Sequence, residues 1–293
     1  GVNSIPFFIY SSMFGFQRIG DLIWAAGDMR TRGFMLGGTA GRTTLNGEGL
    51  QHEDGHSHLL AYTVPNIRSY DPAYAYELAA IIKDGIRKMY IDGEDVFYYI
   101  TLMNENYEHP PLPEGAEEGI LRGAYLLKAS TLDASKARVT LLGSGTILNQ
   151  AVEAKTILEE TYGVAADVYS VTSYKTLYNE AMECERWNFL HPGEKPKTPY
   201  VQALFGQEPR VMVAVSDYLK ALPDSLARWL PGSLHSLGTD GFGRSESRAA
   251  LRDFFEVDAR YITLAALSSL ARQGEVDTSL PAKALKELGI NPD

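Results

Sequence analysis

Three of the six histidines, His52, His56 and His58, fall inside one glycine-rich stretch, Gly37-Gly-Thr-Ala-Gly-Arg-Thr-Thr-Leu-Asn-Gly-Glu-Gly-Leu-Gln-His-Glu-Asp-Gly-His-Ser-His58, together with Glu48, Glu53 and Asp54. Imidazoles titrate near neutral pH without special tuning, so this stretch has the groups to move protons on a bound substrate. The competing account is a solvated loop whose glycines make turns and whose histidines bond locally. The His-x3-His and His-x-His spacings match zinc ligands in residue type. The aperiodic, glycine-broken stretch lacks the regular geometry of a helical His-x3-His site, and no metal site is assigned. Elsewhere, Cys184 sits among Glu183, Glu185 and Arg186, surroundings that do not activate a thiolate, and it reads as a packed residue. Gly143-x-Gly145 and Gly241-x-Gly243 have Leu148 and Glu246 where a dinucleotide fingerprint needs its third glycine, so both read as tight turns.

The elements around the loop must hold it in place. Ile5 to Tyr10 is an apolar, aromatic run that predicts a strand, and the segment after it sets Phe16, Ile19, Ile23 and Ala26 on one helical face. Gly33 to Leu36 predicts the strand that leads into the loop, and Val64 to Tyr70 another. Asp71-Pro72 predicts a helix start, followed by a stripe of Leu78, Ile81, Ile82, Gly85, Ile86 and Met89. Val96 to Leu102 predicts a further strand. Strand and helix alternate, which argues for a parallel sheet with helices packed on it. In such sheets ligands bind outside the carboxyl ends of the strands, which makes the loop after Leu36 the candidate site.

Glu108 to Glu118 holds three prolines and four acidic residues and interrupts the alternation. The predicted boundary lies there, dividing the chain into residues 1–118 and 119–293. Beyond it the spacing predicts strands at 139–142, 167–171, 211–215 and 233–237, and helices over 148–162, 177–187, a short stretch through Leu226, and 261–271. The expected fold class is α/β, with two three-layer domains. A length of 293 residues accommodates two cores. The apolar fraction of 45% and charged fraction of 22% are those of a globular protein, and no apolar run approaches the ~20 residues of a membrane span. A net charge of −10 disfavours nucleic acid and anionic lipid as partners. A single cysteine excludes an internal disulfide and fits a reducing, cytoplasmic setting. The run from Ile5 to Tyr10 is too short, and lacks the basic flank, to read as a signal peptide.

Several strings resemble, in order along the chain, the signatures of homodimeric pyruvate dehydrogenases of the transketolase superfamily. They are Ser12-Met-Phe-Gly-Phe-Gln-Arg-Ile-Gly-Asp21, the loop from Gly41 to His58, Ser69-Tyr-Asp-Pro-Ala-Tyr-Ala-Tyr-Glu77, Asn104-Glu-Asn-Tyr107, Leu142-Gly-Ser-Gly145, Cys184-Glu-Arg-Trp-Asn188 and Leu237-Gly-Thr-Asp-Gly-Phe-Gly-Arg-Ser245. The resemblance covers essentially the whole chain. It implies the later part of a pyrimidine-binding domain over residues 1–118 and a transketolase-like carboxy-terminal domain over 119–293. It also implies a decarboxylating, acetyl-transferring component that uses thiamine diphosphate and Mg²⁺. The family's diphosphate-binding domain, which supplies the metal ligands, and the glutamate that activates the aminopyrimidine have no counterpart in these residues, so the isolated chain is expected to be inactive.

By the same resemblance, Phe14 stacks on the aminopyrimidine and Arg18, one turn later, lies near it. The resemblance sets His52 at the active-site mouth with Glu48 as its acidic partner, to handle protons or to position an incoming lipoyl group. A core phenylalanine and a surface arginine are the structural alternatives for Phe14 and Arg18. Asp54 and His58 match a pattern that contacts sugar hydroxyls in transketolases, a contact with no target in a pyruvate enzyme. Ser11 stands where the family usually has tyrosine. The implied partners are a second copy in a homodimer, the missing amino-terminal portion or a companion subunit, and the lipoyl-bearing dihydrolipoyl acetyltransferase component. Other possibilities are an enzyme for another 2-oxo acid, a transketolase-like sugar enzyme, and a non-catalytic fragment that acts in dimerisation. A sheet that begins mid-fold is expected to leave an edge uncovered around Phe7, Phe8, Phe14 and Phe16, and hence to make the chain associate.

Overall fold

The computed structural model describes residues 4–133, 136–208 and 210–292. The first half forms a wholly parallel sheet of β1 (Phe7–Ser11), β2 (Phe34–Gly38), β3 (Ile67–Tyr70) and β4 (Phe97–Thr101), in the order β1-β2-β4-β3. Side chains alternate along a strand, so adjacent Tyr98 and Tyr99 of β4 point to opposite faces. Tyr99 meets Phe16 of helix α1 (Ser12–Asp28), ring centroids 5.0 Å apart. The short α2 (Ser57–Ala61) closes the long loop after β2. On the other face, α3 (Ala75–Ile86) approaches through Gly85, where an added Cβ would lie 2.8 Å from the Phe34 ring and 3.1 Å from that of Tyr98. Helices thus cover both faces, as a parallel sheet requires.

The helix expected to start at Asp71-Pro72 starts at Ala75 instead. Glu77 sets that start: its Oε2 accepts from the amides of Ala73 and Tyr74 at 2.5 and 3.1 Å, a reach-back that satisfies donors the helix cannot. Its Oε1 accepts from the hydroxyls of Tyr125 and Ser170, at 2.7 and 2.6 Å, in the second sheet. One buried carboxylate therefore joins the two halves. The stripe from Ile81 through Gly85 to Met89 is buried as expected, with the helix widening into a π turn over Arg87–Ile91.

Helix α4 (Ala116–Arg122) leads into the second sheet: β5 (Ala124–Lys128), β6 (Arg138–Gly143), β7 (Ala165–Val171), β8 (Val211–Val215) and β9 (Leu234–Leu237), ordered β5-β7-β6-β8-β9 with only β5 antiparallel. Its core is split between two faces. The helix α5 (Leu148–Tyr162) belongs to one face, α6 (Tyr174–Leu190), α7 (Tyr200–Phe205) and α8 (Ala221–Asp224) to the other. The remaining helices, α9 (Arg248–Phe254), α10 (Ala259–Gln273) and α11 (Leu280–Glu287), add to the α5 side. The sequence pattern did not mark β5, α4, α7, α9 or α11; the four helices, of six to eight residues, are too short to display a helical stripe. Among the described residues no helix is long and apolar enough to cross a membrane.

Strand β1 is outermost, and Phe7, Phe8 and Ile9 on it are 45%, 56% and 67% exposed. Phe16 departs from the expectation: it is buried under Tyr99, because its helical position points at the sheet rather than past its edge. Covering each of the three exposed side chains is worth about 1.5–3 kcal/mol, which favours association. Sedimentation of the chain at micromolar concentration is expected to show species heavier than the 32.3 kDa monomer, and a lone monomer would remove this inference.

Candidate functional site

All four parallel strands of the first sheet end at one edge, and so do β6, β7, β8 and β9 of the second. The two edges face each other: the amide of Asp71, after β3, donates to Thr172 O after β7 at 2.8 Å, and Gly145 N, after β6, donates to Asp71 O at 3.2 Å. The loop after β2 lies at this junction.

At the end of β1, Phe14 is half-buried in the first turn of α1. The Arg18 guanidinium lies 3.9 Å from its ring centroid, and His52 meets the ring edge-on with centroids 4.8 Å apart. Arg18 also donates to Gln51 Oε1 at 3.4 Å. The structure therefore brings Phe14, Arg18 and His52 together. Glu48 is exposed on the same loop and makes no hydrogen bond or ion pair among the described residues. Ser11 and Ser12 each hold a buried hydroxyl without a hydrogen-bond partner. The half-buried Phe14 ring beside an imidazole and a guanidinium suits a flat heteroaromatic ligand.

The loop is anchored at both ends, with Asn46 to Gln51 between them exposed. The buried Arg42 guanidinium donates to Thr239 O, and to Gly241 O at 2.7 Å. Asp54 accepts from the amides of His56 and Ser57 at 3.0 and 2.9 Å and from Ser57 Oγ at 2.5 Å, so its carboxylate is consumed within the loop. The side chain of Gln17 bonds His56 Nε2, which ties the loop to α1. His58 is buried against Thr101 Oγ1 at 3.0 Å. Asp54 thus serves internal bonding, and His58 commits its Nε2 to Thr101 in the interior. Gly145 and Gly241 both take positive φ, 51° and 86°, as tight turns require. Cys184 is buried, and burial raises its thiol pKa, in keeping with a packed residue. Among the described residues no cluster of three or more metal-ligating side chains occurs.

The sequence reasoning missed the buried ionisable groups that cross the junction. Asp71 Oδ1 accepts from Thr101 Oγ1 at 2.6 Å and from Tyr218 OH at 3.2 Å. Lys175 Nζ donates to Ala61 O and Val64 O at 2.7 and 2.5 Å. Their signal was position: Asp71 directly follows β3, and Asp217 and Tyr218 closely follow β8. Burial pushes the Asp71 carboxyl from 3.8 up to about 7 and that of Glu53 from 4.5 up to about 7, and it pulls Lys175 down to about 7 and His58 down to about 4. A raised carboxyl binds its proton more tightly folded than unfolded, so its contribution falls as pH climbs from its unfolded value to about 7. A lowered imidazole or amine acts in the opposite sense, His58 below 6.5 and Lys175 above about 7. Asp71→Asn removes one of the falling contributions and keeps the Oδ1 acceptor. Denaturant titrations should show the variant losing less stability than the parent between about pH 4 and pH 7; parallel curves would contradict the buried-carboxyl account.

Residues 2–110 match the family model described as the pyruvate dehydrogenase E1 component middle domain, and residues 123–258 match that of the transketolase-like TK C-terminal domain. The chain is 55% identical over 290 residues to the pyruvate dehydrogenase E1 component of Pseudomonas aeruginosa, covering 99% of this chain and 33% of that protein. It is 55% identical over 291 residues to that of Escherichia coli K12, covering 99% and 32%. It spans about a third of the length of these curated relatives. Among solved structures, transketolase from Campylobacter jejuni superposes with a TM-score of 0.68 at 18% identity over 90% of this chain and 35% of that one, a likeness of fold.

Proposed function

The chain belongs to the family of pyruvate dehydrogenase E1 components, and from that premise we propose that within the full-length component it holds the aminopyrimidine ring of thiamine diphosphate and handles protons as pyruvate is decarboxylated. The observation that carries this reading is the cluster of Phe14, Arg18 and His52 at the carboxyl edge of the first sheet. Thiamine diphosphate, when bound, supplies the nucleophilic carbon and the electron sink for loss of CO₂.

The chain's own residues supply orientation and proton handling. Phe14 provides a flat apolar ring for stacking, with the positive Arg18 guanidinium already over one of its faces. His52, whose ring edge faces Phe14, is placed to exchange a proton with the substrate-derived group or to orient an incoming lipoyl arm. Glu48, exposed four residues before it, is free to approach once a ligand or partner covers the loop. This reading assigns the Mg²⁺ ligands to the component's diphosphate-binding domain, outside this chain. It divides the chain at about residue 118 into pyrimidine-binding and carboxy-terminal units. It also takes the exposed β1 edge as a surface for assembly into a homodimer that delivers acetyl groups to the lipoyl-bearing acetyltransferase. The internal bonding of Asp54 and His58 favours the 2-oxo acid reading over a sugar substrate.

The full-length component carrying this chain is expected to release CO₂ from pyruvate only with thiamine diphosphate and to acetylate a lipoyl domain. Phe14→Ala should weaken cofactor binding by roughly tenfold, the value of one lost stacking contact. Turnover of another 2-oxo acid alone, or unchanged cofactor affinity in the variant, would overturn the assignment.

A further inference from the structure

The segment that carries Glu48 and His52 is exposed from Asn46 to Gln51, while Arg42 to Leu45 before it and Glu53 to Gly55 after it are buried. It is an exposed arch standing on two buried feet, and both feet rest on the second half of the chain. At the first foot, Thr43 donates to Asp217 Oδ1 from its amide at 2.9 Å and from its hydroxyl at 2.5 Å, and Thr44 Oγ1 donates to Asp217 Oδ2 at 2.5 Å. Asp217 is fully buried two residues past β8, and among the described residues every hydrogen bond to its side chain comes from these two threonines. Gly41, at φ 89°, lets the backbone come this close: an added Cβ would lie 2.4 Å from Asp217 Oδ2. At the second foot, Glu53 Oε2 accepts from Arg244 N at 2.5 Å, and Gly243 packs so tightly on Glu53 that a Cβ there would lie 2.8 Å from the Glu53 Cβ.

We infer that Asp217 is a positioning residue for the reaction: from the second domain it fixes the first foot of the arch, and through the arch the place of His52 against Phe14. This rests on the proton-handling role given to His52 under Proposed function. A buried carboxylate that spends both oxygens on one short segment orders that segment at the cost of its own desolvation. The reason for such an arrangement lies in what the segment carries. The second domain thereby contributes to the site without placing a side chain beside Phe14.

The test has one arm in this chain and one in the full-length component. In the chain, Asp217→Ala should raise amide hydrogen exchange across residues 46–52 by at least about tenfold, and Asp217→Asn, which keeps an acceptor for Thr43, should restore most of the protection. In the component, Asp217→Ala should lower kcat for acetyl transfer by roughly 10–100-fold with KM for pyruvate within about threefold, and should cause no further loss in a His52→Ala background. Equal losses in both backgrounds would reduce Asp217 to a structural residue, and unchanged exchange would remove the clamp itself. If Asp217→Ala fails to fold, the pair Thr43→Val and Thr44→Val removes the two hydroxyl donors, leaves the Thr43 amide, and must still raise exchange across residues 46–52. Should His52→Ala prove fully active, the role of His52 falls, while the exchange arm still decides whether Asp217 holds the arch.

Discussion

His52→Ala in the full-length component is expected to slow acetyl transfer by roughly 10²-fold or more, the usual cost of losing a positioned proton-transfer group. Its ring meets Phe14 edge-on and makes no hydrogen bond among the described residues, so its removal leaves no buried partner unsatisfied. The loss should therefore appear in turnover, with thiamine diphosphate affinity changed far less and the unfolding midpoint close to that of the parent. Single-turnover measurements separate decarboxylation from transfer to the lipoyl group and show which step carries the loss. Full overall activity in the variant would reduce His52 to a loop residue that happens to touch an aromatic ring.

Glu77→Ala is expected to have the largest effect on stability. The carboxylate is almost wholly buried and receives two backbone amides and two hydroxyls, from Ala73, Tyr74, Tyr125 and Ser170. Truncation takes the shared acceptor from four donors, of which, among the described residues, only the Tyr125 hydroxyl has another partner, Tyr76 OH at 2.6 Å, and opens a cavity between α3 and the second sheet, a combined cost of roughly 3–5 kcal/mol. Against a margin of about 5–15 kcal/mol for a domain, that is a third or more of the stability in most of the range. Glu77→Gln keeps one carbonyl acceptor but turns an amide donor toward some of those groups, and it should fall between the two. Chemical denaturation followed by tryptophan fluorescence and by far-ultraviolet circular dichroism would measure both variants. A Glu77→Ala protein within about 1 kcal/mol of the parent would show that the junction does not depend on this carboxylate.

Burial at the junction explains why the site was only partly legible. The strings around Phe14 and His52 could be read because their residue types, an aromatic after a strand end and an imidazole in a glycine-rich loop, carry chemistry wherever they occur. Glu53, Asp54 and His58 stand in the same string with the same residue types, yet the fold buries all three and spends them on internal bonds or, for Glu53, on Arg244 N. Nothing in spacing distinguishes a histidine left half-buried beside Phe14 from one six residues later that bonds Thr101 in the interior. Asp217 carried still less signal, as a lone aspartate after a strand, and its importance comes from which loop it meets across a gap of more than 170 residues in sequence.

The order of the long elements follows from local chemistry. The helix over Leu148–Tyr162 and the strand over Val211–Val215 occur where their apolar spacing and apolar run set them, because such patterns are properties of consecutive residues. The two-domain α/β class follows from the same alternation. What required three-dimensional packing was the meeting of the two carboxyl edges and the conversion of a glycine-rich loop into an arch with buried feet. It also decided which acidic groups face water and which lose it. Hydrogen-bond partners distant in sequence and the desolvation that raises the Asp71 and Glu53 carboxyls are set by what packs around a residue, and that is not a property of its neighbours along the chain.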